Sequence, residues 1–173
     1  MKRILAALLS IVILSFAAAC SKAPAGVEES AVFVDPNAVK AHAYGNLYFS
    51  ADGFDFGIYD PIEDVTSHIA PNTTYAGQSC AFDGDDIYYF FNGFEVMANV
   101  IDGAERVTAI TLTDDTVRTP DGLYIGMPEA ELTGITGLAP DTAGLHTMTD
   151  GTAQRNVTVQ EGTVRSIAYV PVI

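Results

Sequence analysis

The stretch "DIYYFFNGFEVMANV", residues 86–100, decides how the folded part of this chain is built. Asn92-Gly93 is a pair that readily takes positive φ, the strongest short signal for a tight hairpin. With a two-residue turn there, Phe91 faces Phe94, Tyr89 faces Val96 and Ile87 faces Ala98. That side is apolar throughout and reads as core. On the other side Phe90 meets Glu95 and Tyr88 meets Met97, with Asn99 beyond. A face of Tyr, Phe and Met bordered by polar residues has the composition of an interface centre. Tyr88, Phe90 and Met97 are therefore the candidate partner-binding residues. The alternative is that the N-terminal segment, for instance Tyr48 and Phe49, or the second of the two repeats set out below covers this face.

Working outward, Asp-Gly or Asn-Gly pairs recur at 52–53, 83–84, 92–93, 102–103, 121–122 and 150–151. The runs between them are rich in Val, Ile, Thr, Tyr and Phe. They predict strands at 54–59, 79–82, 87–91, 94–100, 105–113, 122–126, 144–149, 153–159 and 164–170. Two segments break the pattern. "YDPIEDVTSHIAP" (59–71) offers Asp60 as N-cap, Pro61 at the first helical position and Glu63 three residues after the cap. Ile62, Val65 and Ile69 then share one face. "GMPEAELTGITG" (126–137) predicts a second, short helix opened by Pro128, with Leu132 and Ile135 inward and Gly137 as its stop. Ile58, Pro61, Asp64 and Val65 correspond to Ile125, Pro128, Glu131 and Leu132 at an offset of 67. The expected fold class is α+β: two tandem units of strand, helix and antiparallel meander, with helices packed on one face of the sheet.

"GLYIGMPEAEL", residues 122–132, resembles the G-x-x-I-G-M-x-x-x-x-V/L signature of the β-lactamase inhibitor protein and BamE-like lipoprotein superfamily. The first copy has Tyr59 and Asp60 where that signature has Gly-Met. The resemblance implies extracytoplasmic protein binding, with no catalysis and no cofactor.

The N-terminus addresses location. Lys2 and Arg3 precede Ile4–Ala19, 16 residues with nothing more polar than Ser10 and Ser15. A membrane-spanning helix needs about 20 apolar residues, so this run reads as a secretory signal. Its end, "AAAC" (17–20), resembles the lipobox of bacterial lipoproteins, with Ala17 where that family usually has Leu. The resemblance implies that Cys20 is diacylated and becomes the first residue of the mature chain. Ala17 and Ala19 also satisfy the small-x-small rule of an ordinary signal peptidase cutting at the same bond. The expected organisation is a signal peptide at 1–19, lipidated Cys20 and a flexible tether over 20–46, and two repeats at 47–119 and 120–173. The expected location is the outer side of a bacterial cell membrane, with the outer membrane as a second option in a cell with two.

Loss of residues 1–19 leaves 6 basic and 22 acidic side chains, a formal charge of −16. Such a chain is repelled by nucleic acid and by anionic lipid faces, and it favours cationic partners. With Cys20 assigned to lipid, no internal disulfide is expected, and Cys80 in "GQSCAF" reads as a buried, inert thiol rather than a nucleophile served by His68 or His146. His42, His68 and His146 stand apart, with no zinc spacing. Asp83, Asp85 and Asp86 suggest calcium, but Ile87 and Tyr88 interrupt the ligand series, so they read as a turn accepting backbone hydrogen bonds, as do Asp114 and Asp115. No G-x-S-x-G, H-E-x-x-H or phosphate loop occurs. Two functions follow: a non-enzymatic protein-binding lipoprotein, or a ligand-binding or hydrolytic one acting on envelope saccharide or a small molecule. A pocket with converging polar groups would separate the second from the first.

Overall fold

The computed structural model describes residues 47–141 and 143–172. The expected lipid site Cys20, the expected signal at 1–19 and the expected tether at 20–46 lie outside them, as does His42. The described residues fall within one compact unit.

The chain runs β1 (Phe49–Ala51), β2 (Phe54–Phe56), α1 (Ile62–His68), β3 (Thr73–Gln78), β4 (Asp85–Phe90), β5 (Phe94–Ile101) and β6 (Ala104–Leu112). It continues with α2 (Glu129–Thr136), β7 (Leu145–Thr149), β8 (Ala153–Gln160) and β9 (Thr163–Pro171). Strands β3 to β9 form one antiparallel sheet in the order β3-β4-β5-β6-β9-β8-β7, and β1 and β2 form a separate hairpin. This corrects the expected α+β class with two meander units. Among the described residues the protein is mostly β, with 47% strand and only 12% helix in two short helices. The two expected units do not close separately: β6 pairs with β9 through Ile110↔Tyr169 and Thr111↔Ala168, so one sheet runs through both. Burying the open edges of two half-sheets against each other satisfies backbone groups that separate units would leave exposed.

The hairpin register is the expected one. Tyr89 pairs with Val96 and Ile87 with Ala98 on the inner side, Tyr88 with Met97 and Phe90 with Glu95 on the outer. Val96, Ala98, Phe91 and Phe94 are buried, while Ile87 and Tyr89 are half-buried near the sheet edge. Above this inner face lies the β1–β2 hairpin. Phe49 packs on Phe94 at 4.9 Å between ring centroids and on Tyr169 at 6.3 Å. Phe49 thus belongs to the core and does not cover the outer face. Ile62, Val65 and Ile69 of the α1 segment are buried, and so is Leu132 of α2. Ile135 is 43% exposed instead of inward.

Both helices start one residue later than the capping pattern suggests. Pro61 and Pro128 are the N-caps, in extended backbone, and neither helix has a side-chain cap. Asp60 is not a cap; its carboxylate accepts from the Gly57 N–H at 2.8 Å. Gly137 ends α2 in the left-handed region, as expected of it.

The two helix entries share one backbone arrangement. Tyr59 N–H donates to Val107 O (2.8 Å) and Val107 N–H to Asp60 O (2.9 Å). Gly126 N–H donates to Val164 O (2.8 Å) and Val164 N–H to Met127 O (2.9 Å). Tyr59 and Gly126 both have positive φ, +73° and +94°.

Two strand expectations fail. Residues 79–82 are a loop, and the strand lies earlier, over Thr73–Gln78. Residues 122–126 form a turn, since Gly122 and Gly126 both adopt positive φ and interrupt any pleat.

Candidate functional site

The outer face of β3–β5 gathers the expected residues and one more. Tyr88, Phe90 and Met97 lie side by side, each half-buried, with Tyr88 directly opposite Met97. Strand β3 adds Tyr75 opposite Tyr88. The rings form a row, with Tyr75–Tyr88 at 6.3 Å and Tyr88–Phe90 at 6.4 Å between centroids. Tyr75 is 62% exposed, the largest value among the large hydrophobic side chains. The sequence reading missed it because "TTYAGQ" has no apolar alternation; its one signal was a Thr-Thr-Tyr run ahead of a Gly.

Acidic groups stand at both ends of the row. Glu95 lies opposite Phe90, and Asp86 lies opposite Gly77. Asn99, expected at the border of the face, is fully buried. Its Nδ2 donates to Asp86 Oδ1 (2.6 Å), and the Thr108 hydroxyl donates to its Oδ1. The register shift between Met97 and Ala98 makes Thr108 the extra residue that closes over it. Farther along the same face the sheet turns polar: Gln154 Nε2 donates to Asn156 Oδ1, and so does the Thr147 hydroxyl. The aromatic character is confined to the β3–β5 end.

The other candidates separate. His68 stacks on Phe54, 4.0 Å between centroids, on the α1 side. His146 is fully buried on β7, and neither ring nitrogen has a hydrogen bond among the described residues; Glu129 Oε1 is 3.9 Å from Nε2. Cys80 lies in the exposed loop after β3 and is disulfide-bonded. That corrects the expectation of a buried Cys80 with no disulfide, which rested on treating "SCAF" as strand. The 79–84 turn is closed by the Ser79 hydroxyl, which accepts from Ala81 and Phe82 N–H, and not by Asp83 or Asp85. Asp114 does accept from Thr116 N–H at 2.8 Å, and those bonds hold its carboxyl below the usual range. Among the described residues no three His, Cys, Asp or Glu side chains converge to hold a metal.

Sequence reading also missed the ion pair of buried Arg155 with Asp121, which is 41% exposed. Arg155 Nη1 donates to Asp121 Oδ1 (2.8 Å) and to the Tyr169 hydroxyl (3.3 Å), and its Nη2 donates to Asp121 Oδ2. Burial alone would raise the Asp121 carboxyl, but the Arg155 and Thr119 hydrogen bonds outweigh it and leave it lowered. Burial pushes the Tyr169 phenol up to about 12. Asp60 is the counter-case: burial raises it to about 6, against the lowering by the Gly57 N–H and Arg106. The Arg155–Asp121 pair joins residues 34 apart in sequence, which no local motif reveals.

A pocket of about 520 Å³ lies on the inner side, between the β1 end and the 117–118 segment. Its polar lining is Ser50, Asp52, His68, Asn92 and Arg118, with a single carboxylate. Arg118 is already engaged over the Tyr124 ring at 4.0 Å.

No protein-family model matches the chain, and no curated protein matches it. A similar solved structure is that of a cysteine-rich secretory protein from Staphylococcus aureus, with 15% identity and a TM-score of 0.48. The match covers 66% of this chain and 43% of that one, so the chain spans less than half of its length.

Proposed function

We propose that this protein is a non-enzymatic protein-binding module, held at the outer side of a bacterial membrane by lipid on Cys20, and that its contact surface is the outer face of β3–β5. The observation that carries this reading is the row Tyr75, Tyr88, Phe90 beside Met97, aimed away from the core. Aromatic side chains bring large area at small entropic cost, and monomers seldom leave such a patch bare without a use.

Replacing Tyr88 and Phe90 together by Ser tests the surface. The expected result is a melting temperature close to wild type with loss of a partner crosslinked in native membranes by the unaltered protein. A large fall in stability, or unchanged crosslinking, would remove these residues from the contact.

The anchor is tested by Cys20→Ser. The variant is expected to lose palmitate label and leave the membrane fraction, because firm anchoring takes two acyl chains at about 0.8 kcal/mol per buried CH₂. The chain holds two cysteines. A lipid thioether at Cys20 therefore requires the Cys80 disulfide to reach a second molecule, and leaves one thiol, Cys80, for maleimide after reduction. Two reactive thiols and no palmitate in the unaltered protein would assign Cys20 to a disulfide and end the lipid reading.

A further inference from the structure

Strand β3 is one edge of the seven-stranded sheet. Ser79 N–H donates to Gly84 O at 3.1 Å, and Gly77, Tyr75 and Thr73 follow opposite Asp86, Tyr88 and Phe90. In an antiparallel pair, bonded and non-bonded positions alternate. Counting from Ser79, the backbone groups of Thr73, Tyr75 and Gly77 point at β4, and those of Thr74, Ala76 and Gln78 point out of the sheet. Three N–H donors and three C=O acceptors thus line this edge.

Natural edges are blunted by charge, proline, a bulge or a covering element. Thr73–Gln78 carries no charged residue and no proline, and its pairing with β4 is regular across all six residues. Among the described residues this edge is open, and it adjoins the aromatic row, because Tyr75 belongs to both. Acidic groups flank it, with Asp83, Asp85 and Asp86 at one end and Glu95 at the other.

We propose that the β3 edge receives an extended basic segment of a partner protein as an eighth strand. Its backbone would bond to Thr74, Ala76 and Gln78. Alternate side chains would lie on Tyr75 and Tyr88, and its cations would face the flanking carboxylates. This rests on the outer-face reading above and adds the mode of contact and the charge of the partner. A second copy of this chain suits the edge less well, since each copy carries the same strongly negative charge, −14 over the full sequence.

The test uses the full chain in detergent and a fluorescein-labelled peptide of alternating Lys and Val, read by anisotropy. Ala76→Pro removes an outward N–H and leaves the β3–β4 ladder intact. The expected result is binding that weakens with added salt and falls about tenfold or more in Ala76→Pro, with no binding of the Glu-Val counterpart. Equal affinity in Ala76→Pro, or equal binding of the acidic peptide, would overturn the proposal. So would a dimer in sedimentation that Ala76→Pro dissolves, because the edge would then serve self-pairing. Should Ala76→Pro prove unstable, the Lys-Val peptide with alternate backbone N-methyl groups replaces it. Lost binding then supports strand addition and retained binding rejects it. Loss of peptide binding in Ala76→Pro, together with unchanged partner crosslinking by the Tyr88→Ser, Phe90→Ser protein, would discard the face and keep the edge.

Discussion

The two helix entries, Tyr59-Asp60-Pro61 and Gly126-Met127-Pro128, have the same hydrogen bonds and the same positive φ but opposite chemistry. At the second entry glycine occupies the left-handed position at no steric cost, and Met127 is fully buried in the core. At the first, a tyrosine holds that conformation, and a half-buried carboxylate stands where the methionine would be. A non-glycine residue in this region costs about 1–2 kcal/mol, so something must hold Tyr59 there. Its N–H bond to Val107 and its packing against the core do so. The difference teaches that the bonds to the strand clamp set the turn, and that the side chains adapt to it.

Exchange across the comparison has its largest effect at the buried position. Met127→Asp places a charge in the core with no partner, and a loss of at least about 3 kcal/mol is expected in urea melts. Near-wild-type stability would mean that the second turn can open to water as the first does.

A middle-sized effect separates the two partly buried aspartates by pH. Asp60 is raised from 3.8 to about 6 in the folded chain. The folded state therefore holds more protons between these values, and its contribution is full below about 4 and lost as pH rises through 6. Allowing for partial exposure, the change is about 2 kcal/mol or less. Asp121 is lowered, so its contribution is present above the unfolded value near 4 and lost as pH falls below it. Thermal melts of Asp60→Asn should therefore lack the decline that the wild type shows between pH 4 and 6, while keeping the acid limb. An identical decline in Asp60→Asn would assign it to another group.

The smallest effect is at Gly126. A Cβ added there meets nothing within 4 Å, so Gly126→Ala isolates the backbone cost, about 1 kcal/mol. A fall well above that would reveal contacts the turn does not show, and no fall would mean that the turn relaxes.

The hairpin at Asn92-Gly93 was legible because its signals are local: a turn pair and a period-two pattern over residues that pair with each other. The Asp102-Gly103 turn was legible for the same reason, and both residues take positive φ. Glu161-Gly162 makes a similar turn but escaped the Asx-Gly rule, since glutamate rarely accepts φ near +54°. Strand β3 escaped because an edge strand exposed on both faces has no apolar alternation to read. Tyr75, the most exposed ring of the candidate surface, escaped with it.

Composition and the turn pairs are properties of neighbouring residues, and the sequence by itself determined the acidic character and the face on which Tyr88, Phe90 and Met97 stand. Tertiary structure alone decided that β6 meets β9 to make one sheet, that Asp121 reaches Arg155 across 34 residues, and that Tyr59 holds a glycine's conformation. These depend on groups brought together only when the chain closes. Each buried backbone group, charge or strained torsion must then be satisfied by whatever the fold places beside it.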